Sequence, residues 1–135
     1  MAEAKPVGAA RRDRPVLFYD GGCSLCRREI AHYRRLDRAG QVEWVDLYAE
    51  PDQAQRYGLS WHTAMQRIHL LETDGRLVTG ARAFAALWRR LPGYRWLARL
   101  VSLPGVLLLL EPAYAAFARR RWSRRCTGDG LCNTK

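Results

Sequence analysis

A short strand that runs directly into a C-x-x-C motif is the feature of this sequence that most limits its fold. Residues 16–19 form an apolar run, and Asp20-Gly21-Gly22 ends that run as a tight turn. From Cys23 to about residue 38, apolar residues recur every three or four positions, which predicts an amphipathic helix. The segment therefore predicts a strand, a turn and a helix, with two cysteines at the start of that helix.

The rest of the chain continues with short strands and helices. Its pattern predicts the order β-α-β-α-β-β-α followed by further helices, with strands near residues 42–47, 68–71 and 77–79 and helices near residues 51–57, 81–91, 94–101 and 104–121. The 135 residues are 48% hydrophobic and 27% charged, which excludes collagen-like, low-complexity and wholly disordered classes. We predict a single domain over residues 15–122, with flexible tails over residues 1–14 and 123–135.

The position of the Cys23-Ser24-Leu25-Cys26 motif predicts redox chemistry. At the start of a helix, free backbone N–H groups and the positive end of the helix dipole favour the thiolate form of Cys23. Cys26 lies one turn further along, close enough to form a disulfide with Cys23. We therefore predict that Cys23 attacks a protein or small-molecule disulfide and that Cys26 resolves the mixed disulfide. No cofactor is required, because the dithiol itself stores the two electrons.

Other interpretations of these residues stay open. The C-x-x-C pair could be structural, either as two inert thiols or as half of a zinc site completed by Cys126 and Cys132 or by a histidine. The gap between Cys126 and Cys132 exceeds the usual ligand spacing, so we predict no metal. Cys126 and Cys132 could instead be a second redox pair or incidental thiols in the tail. Asp20 could relay the proton of the buried thiol or bind a loop N–H in an Asx turn.

Basic residues outnumber acidic ones by 23 to 13, for a net charge of +10. Their densest cluster consists of Arg119, Arg120, Arg121, Arg124 and Arg125. The cluster predicts either a solvated helix end or contact with an anionic surface, and the apolar residues before it favour peripheral contact with an anionic membrane over nucleic acid. The alternative to redox function is therefore a non-enzymatic membrane- or nucleic-acid-binding module.

The sequence shows neither an export signal nor a run of about 20 apolar residues, so we predict a cytoplasmic, or membrane-peripheral, location.

Residues 17–27 resemble the opening motif of the DCC-type thiol-disulfide oxidoreductase family, named for its Asp-x-x-Cys-x-x-Cys signature. The likeness covers about residues 15–122, although its later matches are mostly apolar. It implies an α/β, thioredoxin-like three-layer domain with a small mixed sheet and a helical C-terminal extension. It also implies thiol-disulfide exchange, with the family's roles falling on Asp20, Cys23 and Cys26.

The chain departs from this family pattern at three places. Members of the family often carry an acidic residue at the position of Gly22 and a proline at that of Ser24. Both changes are expected to alter the pKa of Cys23. Thr63-Ala64-Met65 stands where thioredoxin-like proteins generally place a cis-proline before a strand, and we expect Met65 near the cysteines instead.

Overall fold

A four-stranded mixed sheet forms the centre of the computed structural model, which describes residues 13–128. The strands are β1 (Val16–Tyr19), β2 (Glu43–Asp46), β3 (His69–Leu71) and β4 (Leu77–Thr79). Their order across the sheet is β2-β1-β3-β4. β1 pairs in parallel with β2 and antiparallel with β3, and β3 pairs antiparallel with β4.

Six helices accompany the sheet in the described part of the chain. They are α1 (Ser24–Leu36), α2 (Asp52–Arg56), α3 (Trp61–Gln66), α4 (Ala81–Trp88), α5 (Arg95–Val101) and α6 (Pro104–Gly128). The prediction contained each of them except α3. Ser60 caps α3 at its N-terminus, where the hydroxyl oxygen accepts a hydrogen bond from the Thr63 N–H at 3.4 Å.

Side chains alternate across β1 and supply the hydrophobic core on both faces of the sheet. Leu17 and Tyr19 belong to one cluster, and Val16 and Phe18 belong to the other. The first cluster is completed by Ile30 and Tyr33 of α1 and by Ala83, Ala86 and Leu87 of α4. The second includes Ala54 of α2 and Ala64 and Met65 of α3. The sheet therefore lies between two helical layers, and the predicted α/β, thioredoxin-like fold class with its C-terminal helical extension is confirmed.

α6 is fixed to the domain by hydrogen bonds that its side chains make to distant backbone. The Tyr114 hydroxyl accepts from the Ile68 N–H at 2.8 Å. The Glu111 carboxylate accepts from the N–H groups of Ala81, at 3.3 Å, and Arg82, at 3.2 Å. These two N–H groups lie in the first turn of α4, where backbone N–H groups have no partner within the helix, so Glu111 of α6 caps the N-terminus of α4.

The end of α6 differs from the expected C-terminal tail. The helix continues to Gly128, whereas the predicted domain ends at residue 122 and the predicted tail begins at residue 123. Its last turns are held because the Arg125 side chain is buried against the domain. Residues 1–12 and 129–135 lie outside the described residues, so the flexible tails predicted over residues 1–14 and 123–135 stay predictions in those parts.

Candidate active site

Cys23 occupies the N-cap of α1, as the sequence predicts. Its backbone is extended, with φ of −86° and ψ of 121°, and its sulfur accepts a hydrogen bond from the Cys26 N–H at 3.4 Å. The Cys23 carbonyl accepts the first helical hydrogen bond, from the Arg27 N–H at 2.8 Å. Both cysteines are free thiols; Cys23 is 8% exposed, and Cys26 is half-buried. The helix start therefore directs a backbone N–H at the Cys23 sulfur, where it stabilises negative charge.

The two thiols differ in pKa, and the local contacts explain the difference. Burial raises the pKa of Cys23, but hydrogen bonds from Cys26 and the adjacent charge of Arg121 outweigh burial and leave this pKa lowered. Burial raises the pKa of Cys26 to about 12, and hydrogen bonding to Cys23 adds to the rise despite the opposing charge of Arg121. As pH rises, Cys23 thus loses its proton before Cys26.

Asp20 lies in the turn before Cys23, and its buried carboxylate accepts four hydrogen bonds. Oδ1 accepts from the Gly22 N–H at 3.0 Å and from Arg125 Nη2 at 3.0 Å. Oδ2 accepts from Arg121 Nη1 at 3.0 Å and from Arg125 Nε at 2.8 Å. The contact with Gly22 is the Asx-type turn considered from the sequence. Arg125 binds both oxygens as a fork, so the carboxylate joins the turn to the end of α6.

Arg121 connects the turn, α3 and the cysteines. Besides its ion pair with Asp20, it donates through Nη2 to the carbonyl oxygen of Met65. Met65 was expected near the cysteines, and its carbonyl is one hydrogen bond away from the guanidinium that acts on both thiols. The Met65 side chain is buried in the core, and residues 13–128 contain no cis peptide bond.

Gly21 and Gly22 are required by close packing at the turn. A Cβ on Gly22 would lie 2.8 Å from Cδ1 of Tyr48 and would overlap Nη2 of Arg125. A Cβ on Gly21 would overlap the carboxylate of Asp46, which accepts a hydrogen bond from the Gly21 N–H at 2.9 Å. The Arg125 guanidinium also lies over the Tyr48 ring, 5.3 Å from its centroid. The space beside Gly22 is thus filled by Arg125 of α6 and by Tyr48.

The structure divides the predicted arginine cluster into two groups. Arg121 and Arg125 face Asp20 and are largely buried, whereas Arg119, Arg120 and Arg124 are exposed. Sequence reasoning identified all five but did not connect them with the cysteines. The available signal was the four-residue spacing of Arg121 and Arg125, which places them on one face of a helix, together with an acidic residue in a buried turn.

A cavity of about 490 Å³ opens beside Cys23. Its lining combines the start of α1 and one face of α6, namely Gly22, Cys23, Ser24, Leu25, Phe117, Arg120, Arg121, Arg124 and Arg125. The cavity thus places Cys23 and the arginines of α6 around one space.

Comparison with known proteins agrees with this geometry. The family described as DCC1-like thiol-disulfide oxidoreductase matches residues 17–126, from the first strand to the last turns of α6. The chain belongs to this family. An uncharacterised chloroplastic protein of Arabidopsis thaliana is 30% identical over 109 residues, which cover 78% of this chain and 50% of that protein. The chain therefore spans about half the length of this relative. No solved structure gives a significant match.

Several predictions of the sequence analysis remain untested in this DCC1-like chain. Cys126 lies in α6 but Cys132 lies outside the described residues, so the second redox pair stays a prediction, as does the completion of a zinc site by these residues. Within residues 13–128, no three His, Cys, Asp or Glu side chains are grouped to hold a metal ion. No single described helix is long and apolar enough to cross a membrane, but α5 and α6, which meet at a 90° bend, satisfy the length and composition criteria as a pair.

Proposed function

We propose that this DCC1-like protein exchanges disulfides through Cys23 and Cys26, with Cys23 as the nucleophile and Cys26 as the resolving thiol. The observation that carries the proposal is the placement of Cys23 at a helix N-cap, where its sulfur accepts the Cys26 N–H and the residue lines a cavity. The opposite pKa shifts of the two thiols support the same division of roles. Asp20 acts here as a positioning residue, because the four hydrogen bonds that it accepts hold Arg121 and the turn in place.

The exchange proceeds in two balanced steps. The Cys23 thiolate attacks one sulfur of a substrate disulfide, a Cys23–substrate disulfide forms, and the first substrate thiolate leaves and takes up a proton. Cys26 then gives up its proton and attacks the Cys23 sulfur, which breaks the bond to the second substrate sulfur, and that thiolate leaves and takes up a proton. The substrate is reduced by two electrons, and the Cys23–Cys26 pair is oxidised. The reverse sequence oxidises a dithiol substrate.

The proposal is tested by trapping the intermediate. The reduced Cys26→Ser variant, treated with the neutral bis(2-hydroxyethyl) disulfide, is expected to accumulate a mixed disulfide at Cys23, identified by peptide mass spectrometry. The wild type is expected to form the internal disulfide, and Cys23→Ser to form neither. Peptide-level assignment separates these products from reactions of Cys126 and Cys132. Absence of the mixed disulfide at Cys23 would refute the proposal.

The pH dependence of Cys23 alkylation gives a second test. With iodoacetamide, we expect a midpoint below the ordinary thiol pKa of 9.0, because the Cys26 N–H and Arg121 stabilise the thiolate. Arg121→Gln is expected to raise the midpoint, whereas Arg28→Gln serves as a control on the exposed surface of α1. A wild-type midpoint at or above the ordinary value would contradict this account of the site.

Peripheral contact with an anionic membrane is the second candidate, and exposed apolar side chains favour it. Leu108 and Leu109 of α6 are 76% and 75% exposed, and Trp96 of α5 is 65% exposed close to the exposed Arg95 and Arg99. A lipid surface would cover such residues, and the arginines would meet anionic headgroups. The protein is expected to float with anionic but not zwitterionic liposomes, and the Leu108→Asn, Leu109→Asn double variant to lose this binding. Failure of the wild-type protein to float with anionic liposomes would remove this candidate.

A further inference from the structure

The cavity beside Cys23 has the size of a small-molecule site. Its volume of about 490 Å³ lies within the range of about 300–1,000 Å³ that is usual for ligand pockets. Leu25 on one wall and Phe117 on the other are partly exposed apolar side chains, which suit the carbon chain of a ligand. Cys23 belongs to the same lining, so a small ligand in the cavity lies beside the proposed nucleophile.

The charge of this cavity is strongly positive. Four arginines line it, and its described lining contains no acidic residue. Asp20 offsets one of the charges that Arg121 and Arg125 contribute. Arg120 and Arg124 lie one helical turn apart on the exposed part of the lining, and neither has an ion-pair partner among residues 13–128. Two guanidinium groups are therefore available to a ligand.

We propose that the cavity selects small disulfides with negatively charged ends, whose sulfurs lie at Cys23 while an anionic group binds Arg120 and Arg124. Guanidinium groups bind carboxylates through two parallel hydrogen bonds, and the apolar walls accommodate the carbons between the carboxylate and the sulfur. The inference rests on the proposed function and names its substrate class. The exchange is the two-step reaction described above, so one turnover of the reduced protein yields two substrate thiols and the Cys23–Cys26 disulfide, with no further reductant.

Three disulfides of similar size and different charge test this selection. They are the dianionic 3,3′-dithiodipropionate, the neutral bis(2-hydroxyethyl) disulfide and the dicationic cystamine. The reduced full-length protein is mixed with each at low salt, and formation of the Cys23–Cys26 disulfide is followed in a single turnover. Each rate is divided by the rate at which the same disulfide reacts with 2-mercaptoethanol, which removes differences in intrinsic reactivity. We expect corrected rates in the order dianion, neutral, dication, with differences that shrink as added salt screens the charges.

Arginine variants locate the effect in the cavity. Arg120→Gln and Arg124→Gln are each expected to lower the ratio of the dianion rate to the neutral rate by about two- to fivefold, the range for exposed ion pairs. The control is Arg119→Gln, because Arg119 is an exposed neighbour on α6 that does not line the cavity. The ratio is used because a change in the pKa of Cys23 alters the dianion rate and the neutral rate by the same factor, which cancels when one is divided by the other.

The outcomes separate this inference from the proposed function. If none of the three disulfides oxidises the Cys23–Cys26 pair, the proposed function fails. If they react but the dianion-to-neutral ratio is unchanged in Arg120→Gln and Arg124→Gln, or falls equally in Arg119→Gln, anion selection by the cavity is overturned and disulfide exchange stands.

Discussion

Replacing Asp20 by asparagine removes a charge and leaves the shape of the side chain nearly unchanged. The amide oxygen can still accept the Gly22 N–H, but the amide NH₂ group then faces guanidinium donors. Arg121 and Arg125 are only 10% and 8% exposed, and Asp20 is 1% exposed, so little water is present to replace the lost acceptor. The variant therefore leaves two buried cations with one acceptor fewer and no opposite charge.

The cost follows from the burial of this ion pair. Removing one partner of a buried, hydrogen-bonded pair lowers the free energy of unfolding by about 3–5 kcal/mol. A domain of this kind has a total free energy of unfolding of about 5–15 kcal/mol. We therefore expect Asp20→Asn to lose a large part of its stability and to release the end of α6 from the turn that carries Cys23.

Urea denaturation of the reduced protein, followed by far-UV circular dichroism, measures this loss. The matched control is Asp74→Asn, because Asp74 also pairs with an arginine, Arg76, at 2.9 Å, but with side chains 58% and 72% exposed. We expect no resolvable change in the control. A urea midpoint for Asp20→Asn equal to that of Asp74→Asn would refute the argument that the buried pair holds the turn and α6 together.

Three further predictions concern packing and titration. Gly22→Ala is expected to lower the free energy of unfolding by about 1–3 kcal/mol because a Cβ there overlaps its neighbours, while Gly105→Ala, where space is open, is expected to lose nothing by urea titration. Tyr114→Phe removes the acceptor of the Ile68 N–H, so the same titration should show a loss of about 1 kcal/mol. Burial lowers the pKa of His69 in the folded protein, so as pH falls the unfolded chain takes up a proton on His69 at a higher pH than the folded protein does. The free energy of unfolding therefore falls as pH drops below about 6.5, by at most about 1.4 kcal/mol per pH unit. Urea midpoints at about pH 7.5 and about pH 5.5 should converge in His69→Gln, and an unchanged pH dependence would exclude this histidine as its source.

The sheet and the C-x-x-C turn could be predicted because local sequence determines them. A continuous run of apolar residues defines β1, and the glycines with Cys23 define the turn and the helix start. α3 was missed because its six residues include tryptophan, histidine and threonine, which favour helix only weakly. Burial of Ala64 and Met65 against the sheet stabilises this helix, and that is a tertiary effect no local pattern shows.

The partners of Asp20 could not be predicted for a similar reason. Arg121 and Arg125 are 101 and 105 residues away from it in the sequence. Local patterns placed Arg121 at the end of a helix and Arg125 in the tail after it, and the direction in which that helix packs depends on contacts such as that between Tyr114 and Ile68. Consequently the basic cluster was interpreted as a surface, whereas two of its members belong to the interior of the site.

The geometry of α6 allows one run of arginines to serve two purposes. Successive residues on a helix point about 100° apart, so Arg120 and Arg121, and again Arg124 and Arg125, lie on neighbouring sides of it. The inner pair, Arg121 and Arg125, neutralises Asp20, and Arg121 also favours the Cys23 thiolate. The outer pair lines the cavity toward solvent. Under the proposal above, loss of Arg121 therefore changes the reactivity of Cys23 toward every disulfide, whereas loss of Arg120 or Arg124 changes the preference among disulfides at an unchanged alkylation midpoint.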